Sequence, residues 1–253
     1  MSNGKLYLIP VPLSEGAAAS SFTDFSRQII NEISEYIVEN EKTARKFLKQ
    51  AGLQRPQSEL IIHDYGKHAR GAVPASEYLR SAKAGHDLGL MSEAGCPGIA
   101  DPGAEIVAEA HRLGIEVIPL VGPNSILLAL MASGFNGQSF VFQGYLPIEK
   151  SPRTARIKEL ERESAQRNQT QIFIETPFRN NAVLEELLKT LDSRTELCVA
   201  VDLTGSTEQV IRQSVGQWRS GQGKSFKEDL HKRPAIFLLY SHHLLSSHKQ
   251  SKR

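Results

Sequence analysis

Short apolar runs alternate with amphipathic stretches along most of this chain, and that alternation limits the folds open to it. Leu6-Tyr7-Leu8-Ile9-Pro10, Tyr36-Ile37-Val38 and Leu60-Ile61-Ile62 read as buried strands, as do residues 88–92 and 115–120. Between them the apolar spacing turns helical. Residues 23–34 put Phe25, Ile29, Ile30 and Ile33 on one face, and residues 43–51 end at Gly52. Helices are also expected over 74–83, over 104–113 with Gly114 as the stop, and over 124–133 with Gly134 as the stop. Strand–helix repetition of this kind predicts a mostly parallel sheet. Further on come strands at 140–142, 172–174, 197–203 and 236–240, with helices over 153–167 and 180–191. Residues 208–213 fit a strand or a helix, and 220–224 a polar hairpin or loop. The length of 253 residues fits one large α/β domain or two of roughly 120; a break near Pro119–Pro123 would divide the chain into 1–120 and 121–245, with a polar tail over 246–253.

Composition excludes several classes. The chain is 40% hydrophobic and 23% charged, so it has apolar material for a core and is not globally disordered. Thirty basic against 28 acidic side chains give a net charge of +2, which disfavours a generic nucleic-acid binder but leaves room for a local basic cleft. Cys96 and Cys198 lie far apart, with neither a disulfide framework nor metal-ligand spacing; no metal is expected, and a reducing cytoplasm suits them. No apolar run approaches the roughly 20 residues of a membrane span. Met1-Ser2-Asn3-Gly4-Lys5 leads straight into a strand rather than into a signal peptide.

The most informative segment is Met91-Ser92-Glu93-Ala94-Gly95-Cys96-Pro97-Gly98-Ile99-Ala100-Asp101-Pro102-Gly103, between a strand and a helix. Parallel sheets bind ligands at the carboxyl ends of their strands, and glycines let the backbone come close to a ligand. A phosphate loop is excluded because no Gly-Lys-Ser/Thr closes the segment, and the Gly-x-Gly-x-x-Gly dinucleotide fingerprint is missing. The next loop, Gly122-Pro123-Asn124-Ser125, caps an apolar helix and is expected beside the first.

These loops, the first strand and Phe142-Gln143-Gly144-Tyr145-Leu146-Pro147 together resemble the tetrapyrrole methylase superfamily of S-adenosylmethionine-dependent methyltransferases. Within it, the loop 92–103 and Glu175-Thr176-Pro177-Phe178-Arg179 are similar to the branch that methylates a cytidine ribose 2'-hydroxyl of 16S ribosomal RNA. The resemblance implies two α/β domains with a cofactor cleft between them, in a cytoplasmic homodimer acting on ribosomal RNA or the small ribosomal subunit. It also implies cofactor contacts. The methionine and ribose part falls on Pro12, Ala94, Gly95, Cys96, Ile99, Ser125 and Ile126, and the adenine on Ile174, Glu175, Leu203, Pro234 and Ala235. Glu93 and Glu175 would supply an acidic field to the sulfonium. Valine at Gly95 is expected to remove cofactor binding and leave the fold intact.

The departures from the branch cluster on the substrate side. Ser14-Glu15 stands where the branch has Gly-Asn, Glu39-Asn40-Glu41-Lys42 where it has Glu-Asp-Thr-Arg, and Val201-Asp202-Leu203-Thr204-Gly205 where it has Arg-Glu-Leu-Thr-Lys. Phe178 replaces a histidine. A ribose hydroxyl is a poor nucleophile that needs a base or a polarising cation, and RNA phosphates need Arg or Lys. Arg179, His63 and Lys42 are the candidates for catalysis. His68, Arg45, Lys46, Arg153, Arg156 and Lys158 have solvated or structural readings beside any RNA role. On the residues alone, a tetrapyrrole or other small-molecule acceptor and a non-catalytic binding module stay open as alternatives.

Overall fold

The computed structural model describes residues 2–17, 21–66 and 73–241. His68 and the tail 246–253 lie outside the described residues. The chain divides into two compact units, Met1–Asn124 and Ser125–Arg253.

The first unit is built on five parallel strands, β1 (Lys5–Ile9), β2 (Glu35–Val38), β3 (Ile61–Asp64), β4 (Leu88–Met91) and β5 (Glu116–Pro119), in the order β3-β2-β4-β1-β5. Side chains alternate across it as strand geometry requires. Tyr7, Ile9, Tyr36, Val38 and Met91 point to one face. There they meet Ile29, Ile30 and Ile33 of and just after α1 (Asp24–Glu32), and Phe47 and Leu48 of α2 (Glu41–Gln50). Leu6, Ile37, Leu88 and Leu90 point to the other face. They meet Tyr78 and Ala82 of two short turns, α3 (Ala75–Tyr78) and α4 (Arg80–Lys83), and Ile106 and Ala110 of α5 (Ala104–Arg112).

Local chemistry fixes the helix starts. The Thr23 hydroxyl accepts from Ser26 N, and Asn40 Oδ1 accepts from Lys42 N and Thr43 N. The expected single helix over 74–83 is broken at Leu79, whose φ of −101° and ψ of 8° are not helical. Phe25 does not join the apolar face of α1. It is 54% exposed, and Ser26 is buried in the first turn instead, where the Thr23 cap sets the entry of the chain.

The second unit has a mixed sheet in the order β6-β7-β10-β8-β9, formed by β6 (Phe140–Tyr145), β7 (Thr170–Ile174), β8 (Glu196–Val201), β9 (Gln209–Ser214) and β10 (Ala235–Tyr240). Only β6 and β7 pair in parallel; the remaining pairs are antiparallel. Of residues 208–213, which fit a strand or a helix, all but Glu208 lie in the strand β9. Phe173, Val199, Val201, Phe237 and Leu239 face α7 (Lys150–Arg167), α8 (Asn180–Thr190) and α9 (Val215–Ser220), which contribute Ile157, Leu160, Val183, Leu187 and Val215. A buried ion pair of Arg153 with Glu186 ties α7 to α8, and Thr154 also donates to Glu186. Despite burial, which opposes it, these bonds hold the Glu186 carboxyl below its ordinary pKa. On the opposite face lies α6 (Ser125–Ser133), where Arg212 of β9 donates to Ser133 O at 3.0 Å and stacks over Phe135.

Candidate active site

In the first unit β1 lies between β4 and β5. The chain leaves β1 toward β2 and leaves β4 toward β5, so the connections of two adjacent strands run in opposite directions. Such a switch point is where an open parallel sheet takes ligands. Three loops gather at this carboxyl edge. Val11, after β1, and Gly95, after β4, exchange both backbone hydrogen bonds at 2.8 Å. Cys96 Sγ reaches Pro123 O, after β5, at 3.4 Å.

Two glycines make this packing geometrically feasible. A Cβ on Gly122 would sit 2.2 Å from Pro10 Cβ, closer than any side chain allows. Gly95 has a φ of +73°, and a Cβ there would lie 3.3 Å from Leu13 Cδ2. This corrects one expectation: valine at Gly95 would strain the loop itself as well as any ligand contact, because a β-branched residue resists positive φ.

The loop 92–103 is tied down from within. Ser92 Oγ donates to Ala94 O at 3.1 Å, Gly98 N to Pro102 O at 3.2 Å and Ile99 N to Cys96 O at 3.2 Å. Glu93 N donates to Glu39 Oε1 at 3.3 Å, which links the loop to the end of β2. Ala94 and Ile99 stay exposed, the latter at 49%, so apolar surface stands open at the sheet edge. Pro12 and Cys96 are half-buried and Gly95 is buried. Burial and the neighbouring Glu93 push the Asp101 carboxyl above its ordinary pKa. The sequence names Glu39 and Asp101 only as members of longer motifs, and the closeness of Gly122 to Pro10 is signalled only by a glycine flanked by Val121 and Pro123.

Lys42 is exposed in the first turn of α2, three residues beyond Glu39. His63 is placed differently. It lies within β3, where Nε2 meets Glu35 Oε1 at 2.7 Å, the same oxygen that accepts from Ser81 Oγ. Its ring stands edge-on to Tyr78.

The second unit gathers its sequence-predicted residues at the end of its sheet where β7 and β8 finish and β10 begins. Ile174 pairs with Ile236, and Ala235 with Val201. Glu175 Oε1 accepts from Thr176 N at 2.6 Å and from Arg179 Nε at 3.0 Å, with Arg179 Nη2 also on it. The Glu175 side chain is 1% exposed and that of Arg179 29%. Leu203 and Ala235 are buried and Pro234 is exposed. In α6, Ser125 is half-buried and Ile126 buried.

Arg233 is a further residue here that the sequence pattern does not single out. It donates through Nε to Asp202 Oδ2 at 2.8 Å and through Nη2 to Thr207 O at 2.9 Å, and it bends a loop in which Asp202 and Thr204 have positive φ. An arginine in the polar run His231-Lys232-Arg233 carries no mark of burial. The basic edge of α7 is largely engaged: Arg153 holds Glu186, and Arg156 holds Glu159 and Gln143. Arg45 holds Glu41 and Lys46 holds Glu15. Both cysteines are free thiols, and burial pushes Cys198 up to about 12. Among the described residues no helix is long and apolar enough to cross a membrane.

Comparison with known proteins agrees with this geometry. Residues 27–218 match the family model described as Tetrapyrrole (Corrin/Porphyrin) Methylases. The chain is 33% identical over 209 residues to ribosomal RNA small subunit methyltransferase I of Synechocystis, covering 83% of this chain and 70% of that protein. It is 30% identical over 214 residues to the protein of that name from Bacillus subtilis, covering 85% and 68%. In fold it is similar to the methyltransferase CobJ, with a TM-score of 0.59 and 17% identity over 94% of this chain and 99% of that one. It is also similar to a uroporphyrin-III C-methyl transferase from Thermus thermophilus complexed with S-adenyl homocysteine, with a TM-score of 0.55 and 16% identity over 94% and 97%.

Proposed function

The chain belongs to the tetrapyrrole (corrin/porphyrin) methylase family and is an S-adenosylmethionine-dependent methyltransferase; from that premise we propose that its methyl acceptor is a ribose 2'-hydroxyl of small-subunit ribosomal RNA. The observation that carries the acceptor is the identity with ribosomal RNA methyltransferases, which runs through both units rather than through the cofactor loop alone.

The residues fit the cofactor. In the first unit, the backbone of Ala94, Gly95 and Cys96, with Pro12 and the exposed Ile99, offers peptide groups and apolar surface to the methionine and ribose part. In the second unit, Ser125 and Ile126 open α6, and Ile174, Glu175, Leu203, Pro234 and Ala235 offer a strand edge to the adenine. The bare, buried Glu175 Oε2 calls for a donor there. When bound, the cofactor supplies a methyl group already activated by its sulfonium, so transfer needs in-line placement rather than covalent catalysis.

The chain's own part is to hold the acceptor and its phosphates. Arg179, fixed by Glu175 yet 29% exposed, polarises the acceptor or binds an adjacent phosphate. Lys42 serves as a phosphate contact on the loop-bearing edge of the first sheet. His63 is directed to Glu35 and is the weaker candidate for the base.

The working protein is a cytoplasmic homodimer in this reading. Helix α6 is apolar on all sides: it buries Ile126, Ala129 and Leu130 but leaves Leu127 47% and Met131 77% exposed. A second copy of the chain is the partner that covers them. Nucleoside mass spectrometry of ribosomal RNA from a strain lacking the gene tests the acceptor. One ribose methylation is expected to vanish from the small-subunit RNA, and an unchanged profile rejects it.

A further inference from the structure

Among the described residues, three buried side-chain atoms have no hydrogen-bond partner: Glu175 Oε2, Asn180 Oδ1 and Arg233 Nη1. All three belong to one corner of the second unit. Glu175 follows β7, Asn180 opens α8, and Arg233 stands two residues before β10, the strand paired with β7. Asn180 Nδ2 donates to Arg233 O at 2.6 Å and Lys232 N to Pro177 O at 3.0 Å, so the two segments are laced together. Buried polar atoms are almost always paired, and a cluster of exceptions asks for a missing partner.

Glu175 is the most informative of the three. Its side chain is 1% exposed. Every donor that reaches it, Thr176 N and Arg179 Nε and Nη2, goes to Oε1. The carboxylate is therefore clamped in one orientation with its second oxygen bare. An acceptor held that way by a guanidinium is preorganised for a donor from outside the chain. The nucleoside end of the cofactor carries such donors, the adenine amine and the ribose hydroxyls.

We propose that Glu175 is a specificity-determining residue: Oε2 accepts a hydrogen bond from a nucleoside donor of S-adenosylmethionine, and Arg179 acts through Glu175 as its positioning residue. This rests on the cofactor reading above and adds to it the atom responsible and the chemistry it selects. A site built around a buried acceptor rejects analogues that lack the donor far more strongly than a merely apolar slot does.

Calorimetry on the full chain tests the assignment with four probes: S-adenosylhomocysteine, its 6-deamino analogue, and its 2'-deoxy and 3'-deoxy analogues. The wild-type protein should bind one analogue class at least about tenfold more weakly than the parent, and which class it is identifies the donor. Glu175→Gln keeps an oxygen for Arg179 and turns an N–H₂ toward the ligand. That variant should bind the parent about tenfold more weakly and treat parent and analogue alike. Equal wild-type affinity for all probes overturns the proposal without any variant, and so does full discrimination retained by Glu175→Gln. Absence of S-adenosylhomocysteine binding by the wild type rejects the cofactor reading itself.

Discussion

At Gly122 the difference of one methyl group is decisive. Its hydrogen occupies the space that a Cβ would share with the Pro10 ring, 2.2 Å from Pro10 Cβ, and a proline ring, closed on its own backbone, cannot swing aside. Gly122→Ala should lower the denaturant midpoint by the equivalent of about 1–3 kcal/mol through overpacking. Gly137→Ala, where a Cβ would meet nothing within 4 Å, should leave it unchanged. Asp101 makes a second prediction. Its pKa is raised by burial and by Glu93, so the ionised form is disfavoured in the folded state. Stability from the neutral carboxyl is present below the unfolded-state pKa and is lost as pH rises through the folded one. Asp101→Asn should therefore melt higher than wild type at neutral pH, and the gain should fade in acid. A gain independent of pH in thermal melts would contradict the stated cause.

Among the elements, α6 carries the clearest prediction. It packs on its own sheet through Ile126, Ala129 and Leu130 and leaves Leu127 and Met131 exposed on its outer side. Leu127→Glu together with Met131→Glu should convert a dimer to a folded monomer, read by sedimentation velocity with circular dichroism as the folding control. A wild-type monomer would refute the assembly.

The elements also show what the sequence could reveal. Buried runs such as Leu6-Tyr7-Leu8-Ile9 and stops such as Gly52 and Gly114 announce β1, α2 and α5, because burial and capping are local properties. Helix α9 was missed: six residues, Val215–Ser220, are too short for a periodic pattern, although Ser214 and Gln217 form a capping box that marked its start. The antiparallel pairings of the second sheet were not legible either, because strand order depends on partners far apart in the chain.

At the scale of the whole molecule, the division of chemistry is partly readable and partly not. The loop 92–103 is contiguous, so its residues could be named from the sequence. The corner around Glu175 joins residues some 50 positions apart, Asn180 to Arg233, and only folding brings them together. Val201 and Gly205 bring no charge to this corner. The structure adds that a buried guanidinium, from Arg233, still stands against Asp202 beside Val201. Half-buried Arg179 in the second unit and exposed Lys42 in the first remain the cations proposed to meet the acceptor or its phosphates.

The most direct test of the account is transfer of labelled methyl groups from S-adenosylmethionine by the purified chain to small ribosomal subunits prepared from the strain lacking the gene. The account predicts label in the ribosomal RNA, recovered after digestion as a 2'-O-methylated nucleoside. Label that stays out of those RNAs, or that appears only on a base, would contradict it.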